Sequence, residues 1–179
     1  MKRYIKSAIL SLSDEDYAIQ YDIASDPNTS PETLQELSTV TDYSYVHPIQ
    51  RIVAENPSTS PETLRELSKV ARLDVRSCIV RNPNTPEDVL RDMANDNDDW
   101  VGRPPMEILT GLAQNPNTPT DVLTHLCDGL GAFEHWQVAR HLARNPSTLI
   151  DVLTQLSKDL EDDVRAYSQQ ALFKRKHLQ

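Results

Sequence analysis

Aliphatic residues fall into two stripes that recur in step along the chain. One consists of the pairs Leu34/Leu37, Leu64/Leu67, Leu90/Met93, Leu123/Leu126 and Leu153/Leu156, each with the i, i+3 spacing of a single helix face. The other lies upstream of each pair: Ile19, Ile49, Val75, Ile108 and Val138, then Ile23, Val53, Ile79, Leu112 and Leu142 four residues on, then Ala24, Ala54, Val80, Ala113 and Ala143. Apolar positions at i, i+4 and i+5 form a narrow buried face whose small third member lets a neighbour approach closely. The pattern predicts a helix B, a turn and a helix A, repeated about five times.

The turn has its own signature. Asp26-Pro27-Asn28-Thr29, Asn56-Pro57-Ser58-Thr59, Asn82-Pro83-Asn84-Thr85, Asn115-Pro116-Asn117-Thr118 and Asn145-Pro146-Ser147-Thr148 are copies of one motif, with prolines 30, 26, 33 and 30 residues apart. The residue before proline is pushed out of the α region, which stops helix B. Each threonine is expected to cap helix A, with Glu32, Glu62, Asp88, Asp121 or Asp151 three residues later completing a capping box or its Asp variant. Pro31, Pro61, Pro86 and Pro119 fall in or beside the first turn, where a missing N–H costs nothing. A unit of this size cannot bury its face alone, so the copies must stack into an all-α α-solenoid. The expected organisation is a single helical-repeat domain over 1–179: an N-terminal cap with the first B helix (1–24), repeats (25–156), and a C-terminal cap with a basic tail (157–179).

The Asn-Pro-x-Thr turn, the Leu-x-x-Leu helix and the openings Asp74-Val75-Arg76 and Asp163-Val164-Arg165 together resemble the leucine-rich repeat variant family over residues 15–172. That resemblance implies a right-handed superhelix of paired short helices, related in logic to HEAT and armadillo repeats. Some members carry an N-terminal cysteine cluster that holds an iron–sulfur centre. Residues 1–23 contain no cysteine, so no such cluster, and no cofactor, is expected.

The A-to-B connections, unlike the turns, vary: Leu37 to Ile49 spans 12 residues, Leu67 to Val75 8, Met93 to Ile108 15, Leu126 to Val138 12 and Leu156 to Val164 8. Insertions at one topological point project from one edge. They hold Tyr43, Tyr45, Trp100, Phe133 and Trp136, which either fold back over helix ends or serve as aromatic anchors for a partner. A second candidate face is the solvent side of helix A, with Arg65, Arg91 and His125 among its mixed-sign residues; a merely solvating face is the plainer account of it.

Charge narrows the function. With 27 Asp+Glu against 18 Lys+Arg the net charge is −9, which repels phosphate backbones and disfavours nucleic acid as a partner. Small basic clusters at Lys2-Arg3-Lys6 and Lys174-Arg175-Lys176-His177 read as solvating ends. Met1-Lys2-Arg3 before Ile5, Ile9 and Leu10 imitates a secretory leader, but Lys6, Ser7 and Ser11 interrupt it and Asp14-Glu15-Asp16 follow. Cys78 and Cys127 are too few for a disulfide framework and fit a reducing compartment, so a cytoplasmic protein is expected.

Chemistry is sparse. The five histidines show no metal spacing, and the run Asp96-Asn97-Asp98-Asp99 with Glu107 departs from a calcium loop at Trp100 and Val101. Cys127 stands in a column of small residues and His141 in a partly buried one, both structural. The expected function is therefore a non-enzymatic scaffold that binds a protein or peptide, without membrane association. The alternatives are a nucleic-acid-associated helical repeat, including a DNA-glycosylase-like one, and a structural module of a larger assembly.

Overall fold

The computed structural model describes residues 14–40, 49–70, 72–95, 104–129 and 135–177, and every regular element among them is an α-helix. The chain divides into two compact units, Met1–Pro86 and Glu87–Gln179. In the first, the B helices are α1 (Asp14–Ser25), α3 (Ile49–Glu55) and α5 (Leu73–Arg81), and the A helices are α2 (Pro31–Ser38) and α4 (Pro61–Leu67). In the second, the A helices are α6 (Glu87–Asn95), α8 (Thr120–Asp128) and α10 (Ile150–Leu156), and the B helices are α7 (Met106–Gln114), α9 (His135–Arg144) and α11 (Asp162–His177). Within the first unit α3 packs against both α1 and α5, and α2 against α4; within the second α9 packs against both α7 and α11. B helices thus stack on B helices in each unit, the helical-repeat arrangement that the stripes predict.

Both stripes are core. Leu34, Leu64, Leu90, Leu123 and Leu153 are fully buried, as are Ile49, Val53, Val75, Ile79, Leu112, Val138 and Leu142. Burying each such side chain stabilises the stack by roughly 1.5–3 kcal/mol. The small column works as its spacing suggests, with Ala24, Ala54, Ala113 and Ala143 sealed between neighbouring helices. The exception is Ile19, 47% exposed on α1: it has the sequence position of Ile49 and Val75, but α1 has no preceding B helix among the described residues to cover it.

The turns are held by side-chain amides whose bonding capacity is fully used. Asn56 donates from Nδ2 to the carbonyls of Ala24 (2.7 Å) and Asp26 (2.9 Å), one repeat back, while its Oδ1 accepts from the Ser58 N–H (2.8 Å). Asn82 does the same to Ala54 (2.8 Å) and Asn56 (2.9 Å), and Asn145 to Ala113 and Asn115 (both 2.8 Å). An amide has two donor hydrogens and an acceptor oxygen, so the Asn of Asn-Pro ties two backbone carbonyls of the previous turn and shapes its own. A parallel rung runs beside it: Ser58 donates to Pro27 O (2.5 Å), Asn84 to Pro57 O (2.7 Å) and Thr59 O (3.1 Å), and Ser147 to Pro116 O (2.5 Å).

The threonines act differently from expectation. Thr29, Thr59, Thr85, Thr118 and Thr148 donate from Oγ1 to the carbonyl six residues back, those of Ile23, Val53, Ile79, Leu112 and Leu142, at 2.5 to 2.7 Å. They close the C-terminus of helix B rather than capping helix A. The Asx turn folds the chain back beneath helix B, so helix A starts a residue later, and Ser30 and Ser60 are the caps, accepting from Thr33 N and Thr63 N at 3.2 Å. Helices α8 and α10 have Pro119 and Leu149 at that position and no side-chain cap. In α2, α4, α8 and α10 the threonine capping boxes are therefore not formed; Glu32, Glu62, Asp121 and Asp151 stand in the first turn, where the helix dipole favours them.

Departures from the repeat occur at its ends. The first turn has Asp26, which keeps the accepting half of the asparagine's role, taking the Asn28 N–H at 2.9 Å, and lacks the donating half. The last B helix, α11, has Ala171-Leu172 where Asn-Pro would stand, so nothing stops it and it runs on to His177. One turn further, Arg175 reaches back to the carbonyls of Thr148 and Pro146 (2.5 Å to the latter). Those carbonyls match Thr59 and Pro57, which Asn84 ties in the first unit. Arg175 thus completes the final rung, a structural role in a cluster that reads from sequence as solvating.

Candidate partner-binding surface

The predicted recognition residues divide. Tyr43, Tyr45, Trp100 and Phe133 lie outside the described residues. Arg65 is half-buried in the last turn of α4, in the first unit. Arg91, His125 and Trp136 belong to the second unit, on α6, α8 and α9.

Arg91 is engaged within the fold. Its Nε and Nη2 grip both oxygens of Asp121, one repeat on, at 3.2 and 3.1 Å, and Nη1 reaches Glu87 at 3.4 Å. The hydrogen bond from Arg91 holds the Asp121 carboxyl below its ordinary range, and the same bond raises Arg91. The pair straps α6 to α8, leaving the guanidinium no spare fork for a partner. His125 is exposed one turn along from Asp121 on α8.

Trp136 is 44% exposed at the start of α9. It sits between two open hollows of the second unit. One is lined also by Arg140, Glu161 and Asp163, the other by Gln155, Lys158 and Asp159, and Leu160 borders both. Leu160, in the connection from α10 to α11, is 94% exposed. That connection is firmly tied: Arg165 donates to the carbonyls of Asp159 and Leu160, both at 2.7 Å, and also bonds the Asp162 carboxylate. The Glu161 N–H in turn donates to Asp159 Oδ1 at 3.0 Å. Further along the same face of α9, Arg144 lies over the Tyr167 ring at 3.7 Å and Arg140 at 5.9 Å, fixing α9 against α11.

The thiols are unsuited to nucleophilic work. Burial, then the neighbouring Glu55 carboxylate, pushes Cys78 up to about 12, and its Sγ donates to Glu55 Oε1 at 3.2 Å. Burial, with Asp128 and Asp159, pushes Cys127 up to about 11. His141 is half-buried and bonded to Gln114 Nε2 at 3.1 Å, as its column suggests. Among the described residues no group of three or more His, Cys, Asp or Glu side chains converges to hold a metal ion.

Leu160 escapes the periodic reading because it belongs to neither stripe, falling between Leu156 and Val164. That off-register position was the available signal. The other connection of the same length places Ala71-Arg72 where this one has Leu160-Glu161.

No family model and no curated protein matches the chain. A solved structure described as an engineered protein is similar over 98% of this chain and 96% of its own, at 15% identity and a TM-score of 0.43. No helix among the described residues is long and apolar enough to cross a membrane.

Proposed function

We propose that this chain is a non-catalytic helical-repeat scaffold, similar to leucine-rich repeat variant proteins, that binds another protein or a peptide in the cytoplasm. The observation that carries the reading is the exposed pair of Trp136, at the start of α9, and Leu160, on the tied, off-register connection that borders the same hollows. Elsewhere the repeated residues are spent on cohesion: asparagines on neighbouring carbonyls, threonines on helix ends, leucines on the core. Large apolar side chains held in solvent by a rigid frame cost little entropy to engage, and aromatic anchors of this kind dominate binding energy at interfaces. The raised thiols argue against cysteine chemistry, and two buried free thiols suit a reducing compartment.

The test is affinity capture of the intact chain from its host lysate, with and without nuclease, repeated with Trp136→Ala and Trp100→Ala. A nuclease-resistant protein partner supports the scaffold. Capture that vanishes with nuclease overturns it in favour of a nucleic-acid role.

A further inference from the structure

We propose that the Trp136–Leu160 surface of the second unit takes an extended peptide segment carrying an aliphatic or aromatic side chain beside a lysine or arginine. The inference rests on the protein-binding reading and names the partner's chemistry.

The apolar requirement comes from the pair itself. Leu160 projects almost entirely into solvent from a connection whose backbone carbonyls are held by Arg165, so its position is set before any partner arrives. Trp136, on the adjoining helix, lines the same two hollows as that leucine. An apolar side chain entering either hollow contacts both.

The basic requirement comes from the carboxylates. Four acidic residues, Asp159, Glu161, Asp162 and Asp163, follow one another around Leu160. Asp162 is neutralised by Arg165, whereas Glu161 and Asp163 are exposed and have no ion pair among the described residues. Two cations share these hollows, Arg140 with Glu161 and Asp163 and Lys158 with Asp159 and Glu161, but among the described residues neither forms an ion pair with Glu161 or Asp163, so the acidic groups stay in excess. A lysine or arginine next to the anchor would meet Glu161 or Asp163, and the net charge of −9 draws a cationic segment in and repels an acidic one.

The test is selection of random twelve-residue peptides displayed on phage against the intact chain, followed by fluorescence polarisation with the enriched peptide carrying fluorescein. The expected peptides place Leu, Ile, Phe or Trp next to Lys or Arg. Trp136→Ala and Leu160→Ser each weaken the enriched peptide at least tenfold with an unchanged melting temperature. Glu161→Gln with Asp163→Asn weakens it several-fold and flattens its salt dependence. Acidic or purely polar selected peptides, or binding indifferent to both apolar substitutions, overturn the inference. So does a concentration-dependent dimer in sedimentation that Leu160→Ser abolishes, because a second copy would then be the occupant. Retention of a nuclease-resistant lysate partner by the Trp136→Ala/Leu160→Ser variant overturns this site while leaving the scaffold reading intact; absence of any protein partner overturns both.

Discussion

At the B-to-A turn the Asn145 amide is buried, donates to two carbonyls of the preceding turn and accepts from its own. At the A-to-B connection that follows α10, Leu160 is 94% exposed and the neighbouring carboxylates of Glu161 and Asp163 face solvent. Both corners are rigid, and they are rigid by opposite means. The turn uses side chains to satisfy the backbone of another repeat, so its residues must recur wherever a repeat has a predecessor. The connection uses Arg165 and Asp159 to satisfy its own backbone, so its remaining side chains lie outside the repeat pattern and can differ from one connection to the next. Cohesion is concentrated where the sequence repeats; surface chemistry is concentrated where it does not.

The largest expected effect is at the turns. Asn82→Ala should remove both buried donors to Ala54 and Asn56, leaving the Ala54 carbonyl unpaired and Asn56 with only its bond from the Thr59 N–H, lowering stability by about 3 kcal/mol in urea denaturation. A loss below roughly 1 kcal/mol would mean water replaces the amide and the contrast between the corners fails. Next is the terminal rung: Arg175→Ala should cost about 1–2 kcal/mol, while Lys174→Ala and Lys176→Ala, exposed on the same helix, stay within about 0.5 kcal/mol. Equal effects at all three positions would return Arg175 to the solvating cluster.

A smaller effect is pH-dependent. Cys78 and Cys127 are held above their ordinary value of 9.0 in the folded chain, so the unfolded chain ionises first. Their contribution is complete below pH 9.0 and is lost as pH rises from there through about 11 and 12. The urea midpoint should therefore fall between about pH 8 and about pH 10, one unit either side of the ordinary value of 9.0, and Cys78→Ala should flatten that fall. A midpoint that stays level across that window in the parent chain would contradict the buried placement. The smallest effect is at the helix A strap. Arg91→Gln should leave the melting temperature unchanged near neutral pH, since both partners are solvent-screened. Asp121 is depressed, so what the strap does contribute is present above pH 3.8 and disappears below it. A clear loss of stability at neutral pH in that variant would show helix A straps to matter as much as the turns.

The periodic part of the molecule was legible in advance. Leu34 to Leu156 and Ile49 to Val138 appear in the core where the stripes place them, and the Asn-Pro steps end the B helices. The role of Thr59 and its counterparts was misread because a threonine four places into such a motif can bond forward to helix A or back to helix B, and only the fold of the Asx turn chooses. Ile19 shares its column with buried residues and is exposed because burial needs a neighbour as well as a pattern. Of the candidate surface, Trp136 was visible as an aromatic outside the stripes, while Leu160 was hidden among the many leucines.

By itself the sequence determined helix, turn and stacking, because those rest on local backbone restriction and on apolar periodicity, which are properties of neighbours along the chain. Tertiary structure alone decided which carbonyls the asparagines satisfy, that Arg175 closes the last rung, that Arg91 is spent on Asp121, and that Leu160 stands beside Trp136. Each of these joins residues from different repeats or helices, and such pairings are fixed by packing geometry that no spacing along one segment encodes.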